Sequence, residues 1–525
     1  MSRLRSNSYN HGIKYIRNLS KQSINFNQSI NQSIQSINHS YFLTPNQSHK
    51  MTKYNDLVRQ LYSANLYLRV KMGLENIHRL HNGLDRPLDK VKTIVHVAGT
   101  NGKGSVCIKV ARALQASGLD TGLFVSPHIA CFRERAQMNG NYITEEQVER
   151  LLPLVFQAVE KEQIPGTFFE MTTALAFLYY GEMKANAVVL ETGLGGRLDS
   201  TNICKPSVTV ITSISKDHTK ILGSNIQEIA REKGGIFKPG VPVVLGPMHD
   251  QIALNTLQEI AHEIGTGPVT IVPPLQSTNS NSRDAIGIQD FVLENELTAS
   301  AVIDVLRSRQ EIDIDDVTLK AAMLTNPPCR FQEVQAFQNS NNNNGTKFVL
   351  DVAHNPEALK KFFDRFLRLY GLSSMDGVQV VIGMSIDKDL GACMETIKKW
   401  ILPENIILVQ CGHPRAAPVS SLAHYLPGSV VMTPVNSSTS IPQGISYAIE
   451  RSQRMKKTLQ HASAGDAPII VCGSLYIMDE VLEVLGINQN EQKKDPSIVQ
   501  QAWSDRKVGK EPPTTNAQDL DSVKV

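Results

Sequence analysis

The sequence predicts two α/β domains, a larger one built on a mostly parallel sheet and a smaller, Rossmann-like one after it. Three observations lead there. A mostly apolar run with β-branched residues, Ile94 to Ala98, passes at once into the turn Gly99-Thr100-Asn101-Gly102-Lys103-Gly104-Ser105 and then into a helical pattern with Val106, Val110, Ala113 and Leu114 on its apolar positions. Short β-branched strands alternate with helical stretches in both halves of the chain. Polar clusters recur just after those strands, at the carboxyl edge where sheets of this kind bind ligands.

The first unit has the strand, turn and helix of a phosphate loop. Its glycines permit backbone conformations that a Cβ would hinder, and the helix N-terminus adds N–H groups and partial positive charge. Lys103 supplies a point charge for β- and γ-phosphates, and Ser105 can offer its hydroxyl to Mg²⁺. The common loop reads G-x-x-x-x-G-K-S/T. Here only two residues separate the first two glycines, and an extra glycine stands between Lys103 and Ser105.

Composition narrows the class. The chain has 525 residues, 41% hydrophobic and 20% charged, with a formal net charge of +3. Such a balance suggests neither a nucleic-acid nor a membrane-surface partner, and no apolar run approaches the roughly 18 to 20 residues of a membrane-spanning helix. The seven cysteines are scattered and form no C-x-x-C pair, so they read as reduced thiols rather than a zinc site.

From the N-terminus, residues 1–50 are basic, rich in Ser, Asn and Gln, and acid-free, as in a mitochondrial transit peptide. The competing reading is a low-complexity extension. Initiation at Met51 would give a cytosolic form, so the expectation is a pool in cytoplasm and mitochondrial matrix. Residues 51–325 then form the first domain. A helical pattern runs over Tyr54–Asn82, the loop unit follows, and next come a strand at Gly122–Val125 and helices near Thr144–Glu162 and Phe169–Lys184. Strands return at Ala187–Leu190 and Val208–Ile211.

Four polar clusters accompany these elements: Ser126-Pro127-His128, the glycine-rich run from Glu191 to Asn202, Ser215-Lys216-Asp217-His218-Thr219, and the helix carrying Arg231-Glu232-Lys233-Gly234-Gly235. Glu191 alone reads equally as a satisfied strand-end residue or an Mg²⁺ ligand. A lone histidine is usually structural. Together the clusters point to one ligand site.

After a Ser/Asn loop at 276–283 and a helical pair near Thr298–Leu324, Asn326-Pro327-Pro328-Cys329-Arg330-Phe331 makes a stiff junction. Residues 326–488 form the second domain. A strand over Phe331–Phe337, a hairpin insertion at the Asn run 339–344 and a strand at Lys347–Leu350 lead into Asp351-Val352-Ala353-His354-Asn355-Pro356. Strands at Val378–Ile382, Asn405–Val409 and Ile469–Val471 follow, and residues 489–525 read as a polar, disordered tail.

The motifs GTNGKGS, SPHI, FFEMTTALAF, LETGLGGRLDSTN, SISKDHTKILG, EIAREKGGIFKPG and DVAHNP resemble, in order, those of the folylpolyglutamate synthase and dihydrofolate synthase branch of the Mur ligase superfamily. The resemblance implies an N-terminal Mur ligase ATPase domain and a C-terminal ligase domain closing over ATP at a hinge near 325. It implies that Ser126, Glu191 and His218 belong with Ser105 to the shells of two Mg²⁺ ions, and that Lys233 is the lysine the family carbamylates. It also implies that Arg330 reaches the phosphates and that Asp351 and His354 close over the nucleotide. Three departures stand out: Gly234 replaces an alanine, Cys329 replaces the glycine of P-G-R-F, and the H-Q-x-x-N signature is missing, which leaves Asn295 alone as its nucleotide-contacting asparagine.

The implied chemistry is ATP-dependent joining of L-glutamate to a pteroate or folate carboxylate through an acyl phosphate, by a monomer whose partners are small molecules. Asn101, where eukaryotic chain-extending enzymes tend to carry lysine, and the LETGLGGRLDSTN form favour dihydrofolate synthase. Folylpolyglutamate synthase, or both activities, is the alternative. A non-catalytic nucleotide-binding regulator is the remote one, disfavoured by Glu191, His218, Lys233 and Asp351 occurring together.

Overall fold

The computed structural model describes residues 53–63, 73–275, 290–336, 345–435, 439–458 and 467–487. The basic leader, the 276–283 loop, Gln289, the Asn run and the polar tail, with the expectations attached to them, lie outside the described residues.

The first sheet has eight strands: β1 (Thr93–Ala98), β2 (Thr121–Phe124), β3 (Ala136–Met138), β4 (Asn141–Tyr142), β5 (Ala187–Glu191), β6 (Val208–Ile211), β7 (Val243–Leu245) and β8 (Val269–Ile271). Their order is β4-β3-β2-β5-β1-β6-β7-β8, parallel except for the β2-β3-β4 edge. β1 lies inside this sheet, with Val95 opposite Val189 of β5 and Val208 of β6. All six β1 residues are buried. A strand covered on both faces carries no polar alternation, which is why it reads as a mostly apolar run, broken by the buried His96.

Helices cover both faces: α1 (Lys53–Ser63), α2 (Glu75–Gly83), α3 (Lys103–Ala116), α4 (Glu145–Lys161), α5 (Phe168–Glu182), α6 (Thr219–Leu222), α7 (Ile226–Gly234), α8 (Gln251–Ile264), α9 (Phe291–Ser308) and α10 (Asp316–Met323). Ile94 packs with Leu61, Ile77, Leu151 and Phe177 on one side, whereas Val95 and Val97 pack with Val110, Val302 and Ile303 on the other. α4 starts where Thr144 accepts from Gln147 N and Gln147 reaches back, a capping box. α9 begins seven residues earlier than the apolar periodicity from Thr298 predicts, because the Asp290 side chain caps Val292 N and Leu293 N. The earlier start puts Asn295 on a helix.

The second sheet holds β9 (Gln332–Gln335), β10 (Lys347–Leu350), β11 (Val380–Ile382), β12 (Ile406–Leu408), β13 (Val430–Val431) and β14 (Ile469–Cys472), in the order β13-β12-β11-β14-β10-β9. Only β9 runs antiparallel. α11 (Pro356–Leu369), α12 (Leu390–Lys398), α13 (Val419–Tyr425), α14 (Ile441–Thr458) and α15 (Met478–Val484) cover it. The two sheets fall on either side of residues 326–331. All seven cysteines are free and buried, and no helix among the described residues is long and apolar enough to cross a membrane.

Candidate active site

β1 delivers the chain to the loop. Gly99 (φ +152°) lies so close to β6 that a Cβ would stand 2.0 Å from Thr212 Oγ1. Gly102 (φ +85°) begins α3 in the left-handed region, and a Cβ there would come within 2.3 Å of Asn295 Oδ1. Asn295 is therefore seated against the loop, as its expected nucleotide contact requires. Lys103 Nζ donates to the loop carbonyls of Gly99 (3.1 Å) and Thr100 (3.3 Å). Asn101 Nδ2 and Ser215 Oγ are buried without a hydrogen-bond partner among the described residues, which leaves polar groups for a ligand to satisfy.

Beside the loop, Glu191 ends β5 with its carboxylate buried. Ser126 N donates to its Oε2 at 3.0 Å, and a Cβ on Gly104 would stand 3.5 Å from that same oxygen. Burial raises the Glu191 pKa, opposed by the charge of Lys103, the Ser126 N–H and the charges of Arg330 and Arg135. An acceptor-only group beside the phosphate loop suits a hard cation. The loop after Glu191 is braced by Asp199, which accepts from Gly193 N (2.8 Å), Leu194 N (2.9 Å), Thr201 N (3.0 Å) and Thr201 Oγ1 (2.6 Å).

Lys233, near the end of α7, is buried and donates to Gly99 O at 2.8 Å. Burial, with the charges of Lys103 and Lys388, brings its pKa down to about 7. A substantially neutral amine at that pH is the form that captures CO₂, so the residue fits the carbamylation expected of it. At Gly234, where the resembled motif has alanine, Ile260 and Leu257 pack close: a Cβ would stand 3.0 Å from Ile260 Cδ1 and 3.2 Å from Leu257 Cδ2.

The second lobe meets the first through His354, which the sequence marked, and through Lys388 and Asn355, which sequence reasoning did not single out. Lys388 Nζ donates to Asp217 Oδ1 (3.0 Å) and Oδ2 (3.1 Å) and lies 3.3 Å from His218 Nε2. Asn355 Nδ2 donates to Asn101 Oδ1 at 2.9 Å, and His354 Nε2 lies 3.7 Å from Asp217 Oδ2. Burial alone would raise the Asp217 pKa, but nearby His354 and the charge of Lys388 hold it far below the usual carboxylate range. His218, itself in the left-handed region (φ +52°), is brought down to about 4 by burial, opposed by Asp217. The structure thus sets His218 with Asp217 and Lys388. A further link runs from Lys361 on α11 to Glu294 on α9 at 3.2 Å, and Glu294 also contacts His249 at 2.8 Å. In the sequence Lys388 stands between two carboxylates, Asp387 and Asp389, just after β11, the one local signal that could have found it.

Arg330 is presented between two left-handed residues, Cys329 (φ +55°) and Phe331 (φ +47°). The first takes the conformation that the family's glycine would adopt without strain. Asp351 accepts from Phe331 N and Ala353 N, both at 2.8 Å, and its pKa is raised by burial against the charge of Arg330. Arg330 therefore acts electrostatically on Glu191 in one lobe and Asp351 in the other.

At the other flank, Arg135 Nε donates to His128 Nδ1 at 2.8 Å, so the proton of the neutral ring lies on Nε2, 3.1 Å from Tyr62 OH. Phe168 stacks on Tyr62 and underlies Arg135.

Among the described residues no three His, Cys, Asp or Glu side chains cluster as a metal centre. Mg²⁺ characteristically takes one or two protein carboxylates and completes its shell with phosphate and water, so Glu191 with the hydroxyls of Ser105 and Ser126 suffices chemically.

Residues 97–271 match the Mur ligase middle domain, and residues 332–484 match the dihydrofolate synthetase C-terminal domain. The two matches stop on either side of Arg330, and with the loop and its buried carboxylate they define the class: an ATP-dependent ligase of the Mur type. A dihydrofolate synthase/folylpolyglutamate synthase of Buchnera aphidicola is 31% identical over 320 residues, 58% of this chain and 71% of that one. The corresponding Bacillus subtilis protein is 43% identical over 217 residues, and this match spans about half of that relative (49%) and 40% of this chain. A probable dihydrofolate synthetase of Schizosaccharomyces pombe is 28% identical over 439 residues, 80% of this chain and 99% of that one. Among solved structures, Escherichia coli FolC in complex with DHPP and ADP superposes with a TM-score of 0.66 at 27% identity, covering 82% of this chain and 97% of that one. A bifunctional enzyme with Mn, AMPPNP and L-glutamate bound gives 0.64 at 26% identity, covering 82% and 98%. The chain belongs to the dihydrofolate synthase/folylpolyglutamate synthase family.

Proposed function

We propose that the protein is a dihydrofolate synthase, which joins L-glutamate to 7,8-dihydropteroate and converts ATP to ADP and phosphate. The observation that carries the reading is the contact of Asn101 with Asn355. The loop and the second lobe meet at the residue where eukaryotic chain-extending enzymes tend to carry lysine. The fission-yeast relative and one of Saccharomyces cerevisiae, both matched over nearly their whole length (99% and 98%), are named dihydrofolate synthetases, which supports it.

A carboxylate and an amine do not condense in neutral water. The γ-phosphoryl group of ATP moves to an oxygen of the substrate carboxylate, the glutamate amine attacks the acyl phosphate, and phosphate leaves with the transferred oxygen. The chain's part is to orient the reactants and balance charge. Lys103 and Arg330 neutralise the transferring group, while Glu191, Ser105, Ser126 and His218 would hold Mg²⁺, which lowers the charge of the triphosphate when bound. A carbamate on Lys233 would add an anion next to those cations. Asp217 with Lys388 and His354, and Asn101 with Asn355, hold the lobes together and keep water from the acyl phosphate, while Asp351 braces the turn that presents Arg330. Because both lobes come from one chain, the site is complete in a monomer.

The second reading is folylpolyglutamate synthase, or both activities. It is favoured by Lacticaseibacillus casei folylpolyglutamate synthase, 28% identical over 424 residues and 89% of that chain. Incubation with ATP, glutamate and either dihydropteroate or tetrahydrofolate separates the readings: dihydrofolate from the first acceptor supports ours, and extension of the second alone refutes it. We further propose that the protein occurs in both mitochondrial matrix and cytoplasm. A full-length fluorescent fusion that never enters mitochondria would count against this.

A further inference from the structure

We propose that Lys109 is a positioning residue for Arg330, setting the separation between the two cations that meet the phosphates. Lys109 lies on α3, the helix that starts at Lys103, and its side chain is fully buried (0% exposed). A lysine in that state is rare and needs its donors satisfied. All three N–H groups find oxygens on one short stretch: Met323 O, Thr325 O (3.0 Å) and Asn326 Oδ1 (3.1 Å). Glu296 Oε1, at 3.6 Å, is its carboxylate neighbour.

That stretch is the exit from the first lobe. Met323 is the last residue of α10, where carbonyls lack partners within the helix and a cation is favourable. Asn326 precedes Pro327, so it is biased to extended backbone, and Pro327 and Pro328 have φ fixed by their rings. Only residues 327–329 separate the clamped Asn326 from Arg330. Through this stiff strap Lys109 ties the phosphate-loop helix to the turn that presents Arg330, where Cys329 and Phe331 hold left-handed conformations. An apolar side chain at 109 could fill the same space among α3, α9 and α10. It could not tie the strap to the phosphate-loop helix.

The proposal rests on Arg330 being a phosphate contact, as the proposed function has it. Its test is binding of AMPPNP with Mg²⁺ to the full chain, by calorimetry, in a double-mutant cycle. Lys109→Met is expected to weaken AMPPNP about tenfold and Asn326→Ala about threefold, whereas in an Arg330→Ala background either change costs less than about twofold. The melting temperature, read alongside, falls equally in both backgrounds and so reports only packing. Equal weakening with and without Arg330, or no weakening by either variant, overturns the proposal. If Lys109→Met does not fold, Asn326→Ala completes the cycle. If Arg330→Ala binds AMPPNP like the wild type, the phosphate role of Arg330 falls and the proposal falls with it, whereas additivity with a weakened Arg330→Ala overturns the positioning role alone.

Discussion

Lys103 and Lys233 donate to one acceptor, the carbonyl oxygen of Gly99, at 3.1 and 2.8 Å. Sharing it brings two cations together at the turn of the phosphate loop, and the buried one yields: burial first, then the charge of Lys103, lowers the Lys233 pKa to about 7.

The first prediction follows from that value. The unfolded chain holds the Lys233 proton up to the ordinary lysine range near 10.5, while the folded chain releases it near 7. The cost of the depressed pKa is therefore full below pH 7 and fades as pH rises from 7 toward 10.5. Denaturant titrations at pH 7 and 9 should show the wild type gaining stability relative to Lys233→Met. With ¹³C-bicarbonate, a carbamate resonance should appear in the wild type, grow as pH rises through 7, and be missing from that variant.

Glycine conformation gives a second prediction with its own control. Gly102 and Gly118 share a left-handed backbone (φ +85° and +88°), but a Cβ meets Asn295 at 2.3 Å in the first and nothing within 4 Å in the second. Alanine should cost each about 1–2 kcal/mol of stability from the backbone. Only Gly102→Ala should also weaken ATP-analogue binding, by about tenfold or more, measured by calorimetry. Equal binding by the two variants would separate Asn295 from the nucleotide.

How much of this was legible in the sequence depends on the range of the interaction. β1 and its loop were readable because the strand is buried on both faces and the glycines mark the turn within a few residues. The β3-β4 hairpin was not, since strands of three and two residues carry no periodicity. Nor was the pairing of Lys388 with Asp217, 171 residues apart, or of Asn355 with Asn101, 254 apart, because a polar residue in a loop looks the same whether it faces solvent or another lobe. The SPH, E-x-G-x-G-G and DVAHNP motifs could be placed only by resemblance, and folding then showed what each touches.

Lobe closure supplies the third prediction. Lys388 and Asp217 come from different lobes and are largely buried where they meet (10% and 12% exposed side chains), so the pair is screened less than a surface one. Lys388→Met should lower kcat about 10- to 100-fold while the KM for ATP changes less than about threefold, because the contact belongs to the closed state. Steady-state kinetics at saturating glutamate read both. An unchanged kcat would remove Lys388 from the closing contacts.

Lys103 gives a fourth. Its point charge is asked to stabilise the transferring phosphoryl group, so Lys103→Ala should reduce glutamate-dependent ADP release by about 10²–10³-fold or more. Release that survives the substitution would contradict the loop's role.

The central claim is that ATP activates the acid before the amine arrives, and oxygen labelling tests it most directly. Dihydropteroate carrying ¹⁸O in its carboxylate is turned over with ATP and glutamate, and the released phosphate is analysed by mass spectrometry. The account predicts one ¹⁸O in each phosphate, carried across the acyl phosphate bond; unlabelled phosphate alongside dihydrofolate would contradict it.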